Sequence, residues 1–268
     1  MMVGLPGFVL AIIASRLIDF SERRVRLVGW VRSIRTGSPG PPPIGHETGT
    51  ALEGLLEALQ RVLHTPTLIY AFVAGAMISF GMDGLGGWGP TFITRKLGMS
   101  SGDAARLLGI TGLIAGVSGT LAGGLIAAWW LKRNQRARVL TVALGMLPGG
   151  PLAVWLMTVR DPAAFRVIFG FAFFFLSWYN SPLTATVFDV VPGRISATVA
   201  GAFFLFIHLA GDAIAFPLVG MLSDRFGLER AAFVLPAVAV AGGLVVLSAA
   251  GKVMRDTARA RAESAEAD

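Results

Sequence analysis

The sequence predicts an all-α integral membrane protein. Of its 268 residues, 54% are hydrophobic and only 15% are charged, which is less polar than the surface of a soluble domain of this size requires. The long apolar stretches are about 20 residues each and do not alternate, so they favour spanning helices over the strands of a membrane barrel. The 34 glycines are typical of helices that pack closely in a membrane.

Six of these stretches are long enough to cross a bilayer. They predict spans near 67–90, 104–131, 138–158, 163–191, 195–222 and 229–251. We therefore expect a six-helix transmembrane bundle over 67–251. A charged, alanine-rich and soluble tail is expected to follow it at 252–268.

Two segments are expected before the bundle. Residues 1–18 are apolar but short for a full crossing, and we interpret them as the end of a truncated transmembrane helix. Residues 19–66 form a linker that is first rich in arginine and then in proline and glycine. Between 51 and 63, leucines recur at helical spacing and predict a short amphipathic helix that leads into the membrane.

The positions of the basic residues predict the topology. Sixteen of the 23 lysine and arginine residues fall on the side that holds the linker and the C-terminal tail. Because positive charge concentrates in cytoplasmic loops, both segments are expected in the cytoplasm, with the bundle in the cell (inner) membrane. The expected partner of the chain is then the lipid bilayer. The net charge of +7 does not indicate nucleic-acid binding, because the basic residues lie in the loops between the apolar stretches.

Several kinds of chemistry are not indicated by the sequence. There is no cysteine, which excludes disulfides and thiol chemistry. The three histidines are dispersed, and no metal cluster, nucleotide-binding loop or nucleophile–base set is visible. The sequence therefore predicts neither an enzyme nor a bound cofactor or metal.

The most distinctive polar pair is His208 and Asp212, in an apolar run that is long enough to span the membrane. They are four residues apart, which places them on one face of a helix. Charge inside a membrane is costly and usually faces a protein interior or a wet cavity. The pair is expected either to couple protons to transport or bind substrate, or to form a structural hydrogen bond between neighbouring helices.

Other candidate site residues lie in the predicted first and fourth spans. Asp83 lies within a glycine-rich stretch and is either a polar group at a cavity mouth or a hydrated acid near the outer interface. Trp178, Tyr179 and Asn180 form a polar and aromatic island just before Pro182, which favours a kink. This island is either a cavity wall or ordinary helix packing.

Two further features concern the contacts between helices. Asp189 and Arg194 flank a predicted turn and could form a gate ion pair or a solvated cap. In the second span, glycines recur every three or four residues and indicate either close helix packing or a sliding surface. These glycines are Gly109, Gly112, Gly116, Gly119 and Gly123.

Three segments resemble the major facilitator superfamily. Residues 123–128 with Lys132 and Arg133 are similar to the family's loop motif between helices two and three, although Ala128 stands where that motif has an acid. Residues 217–227 resemble the end of a family helix. Within the superfamily, residues 88–90, 191–194 and 207–214 most resemble the spinster-like group.

This resemblance implies the six-helix C-terminal bundle of the major facilitator fold, preceded by the stub of another helix. It implies alternating-access, proton-coupled transport of a small or amphipathic solute, with lipid-like molecules among the candidates. The other half would be on a separate chain or supplied by a second copy. The alternative is a truncated fragment or membrane scaffold without transport of its own. The gate and loop-motif residues would be Gly124, Lys132, Arg133, Asp189, Arg194, Asp224 and Arg225.

Overall fold

The computed structural model describes residues 51–267, and this part of the chain is built from helices. The predicted stub at 1–18 and the linker up to residue 50 lie outside the described residues. In chain order the α-helices are α1 (Ala51–His64), α2 (Pro66–Leu97), α3 (Ser101–Leu131), α4 (Ala137–Leu156), α5 (Pro162–Leu176), α6 (Asn180–Asp189), α7 (Ser196–Ile207), α8 (Ala213–Phe226), α9 (Leu228–Ala231), α10 (Val234–Leu247) and α11 (Val253–Ala267).

Six helical segments of the described chain are long and apolar enough to cross a membrane, which confirms the predicted number. We call them the first to sixth spans: Pro66–Leu97, Ser101–Leu131, Ala137–Leu156, Pro162–Asp189, Gly193–Phe226 and Leu228–Leu247. The first span continues past the expected end at Pro90 because Phe92 and Ile93 are buried beyond it. It ends at Gly98, whose left-handed backbone (φ 67°) is the usual way to terminate a helix.

The fourth and fifth spans are interrupted one turn before a proline. The fourth contains a 3₁₀ turn at Ser177–Tyr179, and the fifth contains a π turn at His208–Asp212. A proline ring clashes with the carbonyl four residues earlier and cannot donate to it. Pro182 therefore acts at residue 178, inside the 3₁₀ turn. Pro217 acts at residue 213, where the α-helix has just resumed after the π turn.

The first span forms the centre of the bundle and is its most buried helix. Around it the core divides into two apolar clusters. In one, the rings of Phe72 and Phe203 meet edge to face with centroids 5.2 Å apart. In the other, Phe165 lies between Phe92 and Phe169. Aromatic packing thus joins the first span to the fifth and the fourth.

The glycine stripe of the second span is a packing surface against the fourth span. A Cβ atom at Gly119 would lie 2.1 Å from the carbonyl oxygen of Phe174, and one at Gly123 would lie 2.6 Å from that of Trp178. Gly112 and Gly116 face phenylalanine rings at ordinary or slightly short distances. Gly109 is different, because an added Cβ there meets nothing within 4 Å.

The C-terminal helix α11 docks on the bundle through a buried carboxylate. Asp256 is 5% exposed and accepts hydrogen bonds from the backbone N–H (3.0 Å) and the Oγ1 hydroxyl (2.7 Å) of Thr67. Thr65, at the N-cap of the first span, makes no side-chain capping bond. Asp256 therefore satisfies an orphan N–H at the start of that span and complements its helix dipole. The charged composition of this segment gave no indication of the contact.

Helix α1 is tied to the same region by Arg61. Its guanidinium donates to Glu263 Oε2 on α11 (2.7 Å) and to the carbonyl oxygen of Val190 after the fourth span (3.2 Å). Partial burial acts to raise the pKa of Glu263, but Arg259 and Arg61 together hold that pKa below its usual range. A carboxylate with a lowered pKa keeps its contact at neutral pH and loses it as pH falls through that pKa.

We expect Gly123→Ala to destabilise the bundle, because the new methyl group would overlap the backbone of Trp178. Overpacking of this kind costs about 1–3 kcal/mol, which lowers the thermal midpoint of the purified chain in detergent. The matched control is Gly109→Ala, which lies on the same helix in open space and should leave the midpoint unchanged or slightly higher. Equal effects of the two substitutions would contradict the packing interpretation.

We expect Asp256→Ala to release α11 from the bundle, because two donors of Thr67 lose their acceptor. Leaving such buried groups unpaired costs about 1–3 kcal/mol. Hydrogen exchange should become faster across residues 253–267 and at the start of the first span. Glu266→Ala removes the same charge from an exposed position on the same helix and should leave exchange unchanged. Unaltered exchange in Asp256→Ala would show that other contacts hold α11.

Candidate functional site

His208 and Asp212 lie at the two ends of the π turn in the fifth span. The distance from His208 Nδ1 to Asp212 Oδ2 is 3.2 Å, so the predicted pair does form. The His208 side chain is 59% exposed and that of Asp212 is 22% exposed. The second oxygen, Asp212 Oδ1, is buried and has no hydrogen-bond partner among the described residues. Wide turns of this type often occur at functional sites in helices.

Asp83 of the first span joins this pair. One ligand atom from each of Asp83, His208 and Asp212 lies within 4.8 Å of the others. We call these three residues the acid–histidine cluster. Asp83 was identified from the sequence as a separate candidate, and only the fold places it beside His208 and Asp212. Histidine nitrogens and carboxylate oxygens are possible metal ligands, but exposed acidic groups are also common without an ion.

The cluster forms because the π turn approaches the first span very closely. A Cβ atom at Gly211 would lie 2.6 Å from the carbonyl oxygen of Ala76 and 3.1 Å from the amide nitrogen of Phe80. Glycine is therefore required at this contact. Ser79 then fixes the carboxylate of Asp83, donating its hydroxyl to Oδ2 at 2.5 Å. Gly211 was included in the 207–214 resemblance, but its packing role was not predicted from the sequence. Ser79, which lies one helical turn before Asp83, was not identified from the sequence.

The polar and aromatic island of the fourth span divides between packing and the site. Trp178 is buried against the glycines of the second and third spans, and its Nε1 has no partner within the described chain. Asn180 is exposed and donates to Thr120 Oγ1 at 3.2 Å, which links the fourth span to the second. Tyr179 is partly buried, within electrostatic reach of Asp83 and Asp212. Among the three, Tyr179 is thus the one associated with the acid–histidine cluster.

Asp189 and Arg194, which flank the turn between the fourth and fifth spans, each form an ion pair with a different helix. Asp189 bonds to Arg138 of the third span, and Arg194 bonds to Glu57 of α1. The physical reason is the backbone between them: Asp189 is the last residue of α6, and Pro192 is extended (ψ 144°). The two charges consequently point to different neighbours, and each connects a span end to another helix.

The other loop-motif residues are mostly at the surface. Gly124 packs on Ser181, whose hydroxyl would lie 2.8 Å from an added Cβ. Lys132 and Arg133 are exposed at the end of the second span, and Arg133 lies over the ring of Trp129 at 5.4 Å. Asp224 and Arg225 are exposed at the end of α8. These positions agree with turns between spans, and they do not bring the motif residues to the acid–histidine cluster.

Comparison with known proteins finds similarity to transporter families and to spinster proteins. The profile of the Organic Anion Transporter Polypeptide (OATP) family matches residues 35–157. Protein spinster homolog 1 of Xenopus tropicalis is 27% identical over 232 residues, covering 75% of this chain and 43% of its own. The sphingosine-1-phosphate transporter SPNS2 of the same organism is 26% identical over 253 residues, covering 83% and 48%.

Solved structures include a bacterial homolog of the human lysosomal transporter spinster, in an inward-facing and occupied conformation. The TM-score is 0.66 at 15% sequence identity, and the match covers 82% of this chain and 54% of the other. This likeness is one of fold. The chain spans about half the length of the curated relatives it matches.

Proposed function

We propose that this chain, a relative of the spinster-like transporters of the major facilitator superfamily, forms the C-terminal half of a membrane transporter. In this fold, transport proceeds by alternating access: two bundles of helices rock around a site near the bilayer midplane. The chain supplies one such bundle. The other half would be a separate segment, a separate chain or a second copy.

The observation that supports this proposal is the acid–histidine cluster on the surface of a membrane bundle. Asp83 and His208 are exposed in the middle of two spans, where hydrocarbon would leave their charges without solvation. Such groups are tolerated when they face a water-filled cavity or another protein surface. A central cavity between two bundles provides that environment.

The chemistry of the cluster suits proton coupling. Two carboxylates within 4.8 Å repel each other when both are charged, so a proton on either one, or on His208, relieves the repulsion. Histidine in water titrates near neutral pH and can exchange that proton under physiological conditions. We infer that Asp212 and His208 carry the proton, with Asp83, held by Ser79, as the group that senses their charge.

The remaining predicted residues would have supporting roles. Tyr179 and Asn180 would line the cavity beside the cluster, and Trp178 would hold the kink that positions them. The pairs Arg138–Asp189 and Arg194–Glu57 would act as gates, because each joins the end of a span to a different helix. Gly124, Lys132, Arg133, Asp224 and Arg225 would shape the turns that move with the spans.

For the substrate, we propose a small amphipathic solute, with lipid-like molecules as the first candidates. The support is the relation to spinster proteins and to a protein described as a sphingosine-1-phosphate transporter. Such a molecule would need both apolar contacts and a polar anchor. Phe204 and Leu205 are exposed in the fifth span, which also carries His208 and Asp212, and they would provide the apolar contacts.

We expect Asp212→Asn to abolish proton-driven uptake and to spare exchange of substrate down its own gradient. The amide keeps the shape of the side chain but cannot take up a proton. The measurement compares driven uptake with counterflow in vesicles that contain the complete transporter, at matched protein level. Asp103→Asn, which neutralises an exposed acid in the first turn of the second span, is the control.

Three outcomes of this experiment would contradict the proposal. Equal loss of both modes in a folded Asp212→Asn protein would assign Asp212 to substrate binding. No loss in either mode would remove Asp212 from the mechanism. Absence of saturable uptake by the unsubstituted complete protein, across amphipathic solutes, would favour a membrane scaffold over a transporter.

We also expect position 133 to face the cytoplasm and position 225 to face the opposite side. The basis is the excess of basic residues on the side of the linker and tail. Both side chains are exposed, and the chain has no native cysteine, so Arg133→Cys and Arg225→Cys give single labelling sites. An impermeant maleimide should label only position 225 on intact cells and both positions after permeabilisation. Labelling of position 133 from outside would invert the topology.

A further inference from the structure

An apolar groove runs along the surface where the third and sixth spans pack together. It consists of two adjoining cavities with volumes of about 460 and 490 Å³, which share Pro151 and Val240 in their linings. We call the first the 140–151 cavity. Five of its eleven lining residues are leucines: Leu140, Leu144, Leu147, Leu244 and Leu247. None of the residues of the acid–histidine cluster lines either cavity.

The groove has a fixed floor made by small residues. A Cβ atom at Gly150 would lie 2.3 Å from Val240 Cγ2, and one at Gly243 would lie 2.6 Å from Met146 Cγ. The two helices therefore touch at these glycines. Long side chains stand beside the contact, and Leu147 is 72% exposed. Because the two helices are in van der Waals contact at the floor and longer side chains stand on either side, the bundle surface has a permanent depression here.

The dimensions of the 140–151 cavity match one leaflet of a bilayer. At 1.5 Å per residue, the eleven helical steps from Leu140 to Pro151 extend about 16 Å along the helix. The hydrocarbon core of a bilayer is about 30 Å thick, so the cavity spans close to half of it. An acyl chain that lies parallel to the helices in one leaflet has this length and this apolar character.

Positive charge lies beside the end of this cavity that Leu140 lines. Trp130 and Leu140 line that end, and the chain between them turns through Lys132, Arg133 and Arg136. All three basic side chains are exposed, and none of them pairs with a carboxylate within residues 51–267. A tryptophan at this depth is typical of the interface between hydrocarbon and headgroups.

We propose that the 140–151 cavity and the basic turn at 132–136 form a binding site for an anionic phospholipid. One acyl chain would lie in the cavity, and the headgroup phosphate would accept hydrogen bonds from Lys132, Arg133 and Arg136. Basic pockets between membrane helices bind anionic headgroups in this way. A second copy of the chain is a poorer occupant, because a symmetric contact here would bring like charges together. The site does not depend on the proposed transport function.

The test measures lipid binding to the full chain purified in detergent. Dioleoyl phosphatidylglycerol is compared with dioleoyl phosphatidylcholine by native mass spectrometry and by the thermal midpoint as a function of added lipid. We expect phosphatidylglycerol to remain bound and to raise the midpoint, because a ligand that binds only the folded state stabilises it. Equal binding of the two lipids would overturn the proposal.

Substitution of the basic turn isolates the headgroup contribution. Lys132→Gln with Arg133→Gln should weaken phosphatidylglycerol binding about 30-fold and leave phosphatidylcholine unchanged, since each basic residue near an anionic lipid contributes about 1 kcal/mol. Arg106→Gln with Arg166→Gln removes the same charge from exposed positions at the opposite ends of the spans and should change binding less than twofold. Equal losses in the two double variants would indicate attraction to net charge only, against the proposal.

Filling the cavity isolates the acyl-chain contribution. Ala143 is half-buried in its lining, and Ala143→Trp should displace the chain and reduce phosphatidylglycerol retention. Leu121→Trp places the same side chain on an exposed position of the second span outside the groove and should have no effect. Undiminished binding in Ala143→Trp would refute occupation of the cavity. A dimer that is lost in Ala143→Trp would identify a second copy as the occupant instead.

Discussion

Hydrocarbon offers no partner to a backbone N–H or C=O group, and this constraint governs the architecture of the chain. Each span must satisfy its backbone internally, so each is a helix. Wherever the helix is interrupted, another element must lie close enough to replace what is lost. The interruptions at 177–179 and 208–212 each pack on neighbouring helices, and both precede a proline that removes a donor. Irregular backbone is thus confined to places where the bundle protects it.

The same constraint shapes the acid–histidine cluster, which is more than one hydrogen bond within a helix. The hydrogen bond between His208 and Asp212 uses only one oxygen of the Asp212 carboxylate. The other oxygen, Oδ1, has no hydrogen-bond partner among the described residues. The close contact of Gly211 with the first span adds Asp83, with Ser79 behind it. The fold thus brings three titratable side chains to within 4.8 Å of one another.

Polar contacts at the ends of the spans connect neighbouring helices. Asp256, Arg61, Asp189 and Arg194 each connect the end of a span to α1, to α11 or to another span. Ion pairs at such exposed or half-exposed positions contribute little stability individually. Their value is geometric, because they fix the relative positions of helix ends. Only Asp256 is buried deeply enough for its loss to leave donors unsatisfied inside the protein.

The sequence was sufficient for everything that depends on local periodicity and composition. Apolar length gave the six spans, and the four-residue spacing of His208 and Asp212 placed them on one face, which the π turn preserves. Glycine spacing gave the packing surface of the second span. The sequence could also locate the break near Pro182, because the effect of a proline on its helix is local.

Only the tertiary structure decided which distant residues meet. Asp83 lies in the first span and Asp212 in the fifth, with three spans between them. Their proximity depends on how tightly one turn packs at Gly211. The partners of Asp189 and Arg194 were likewise set by the direction of the backbone at Pro192 and not by their closeness in the chain. Asp256 looked like one charge of a solvated tail until the fold placed it at the start of the first span. Contacts between elements follow from packing, which no local pattern in the sequence records.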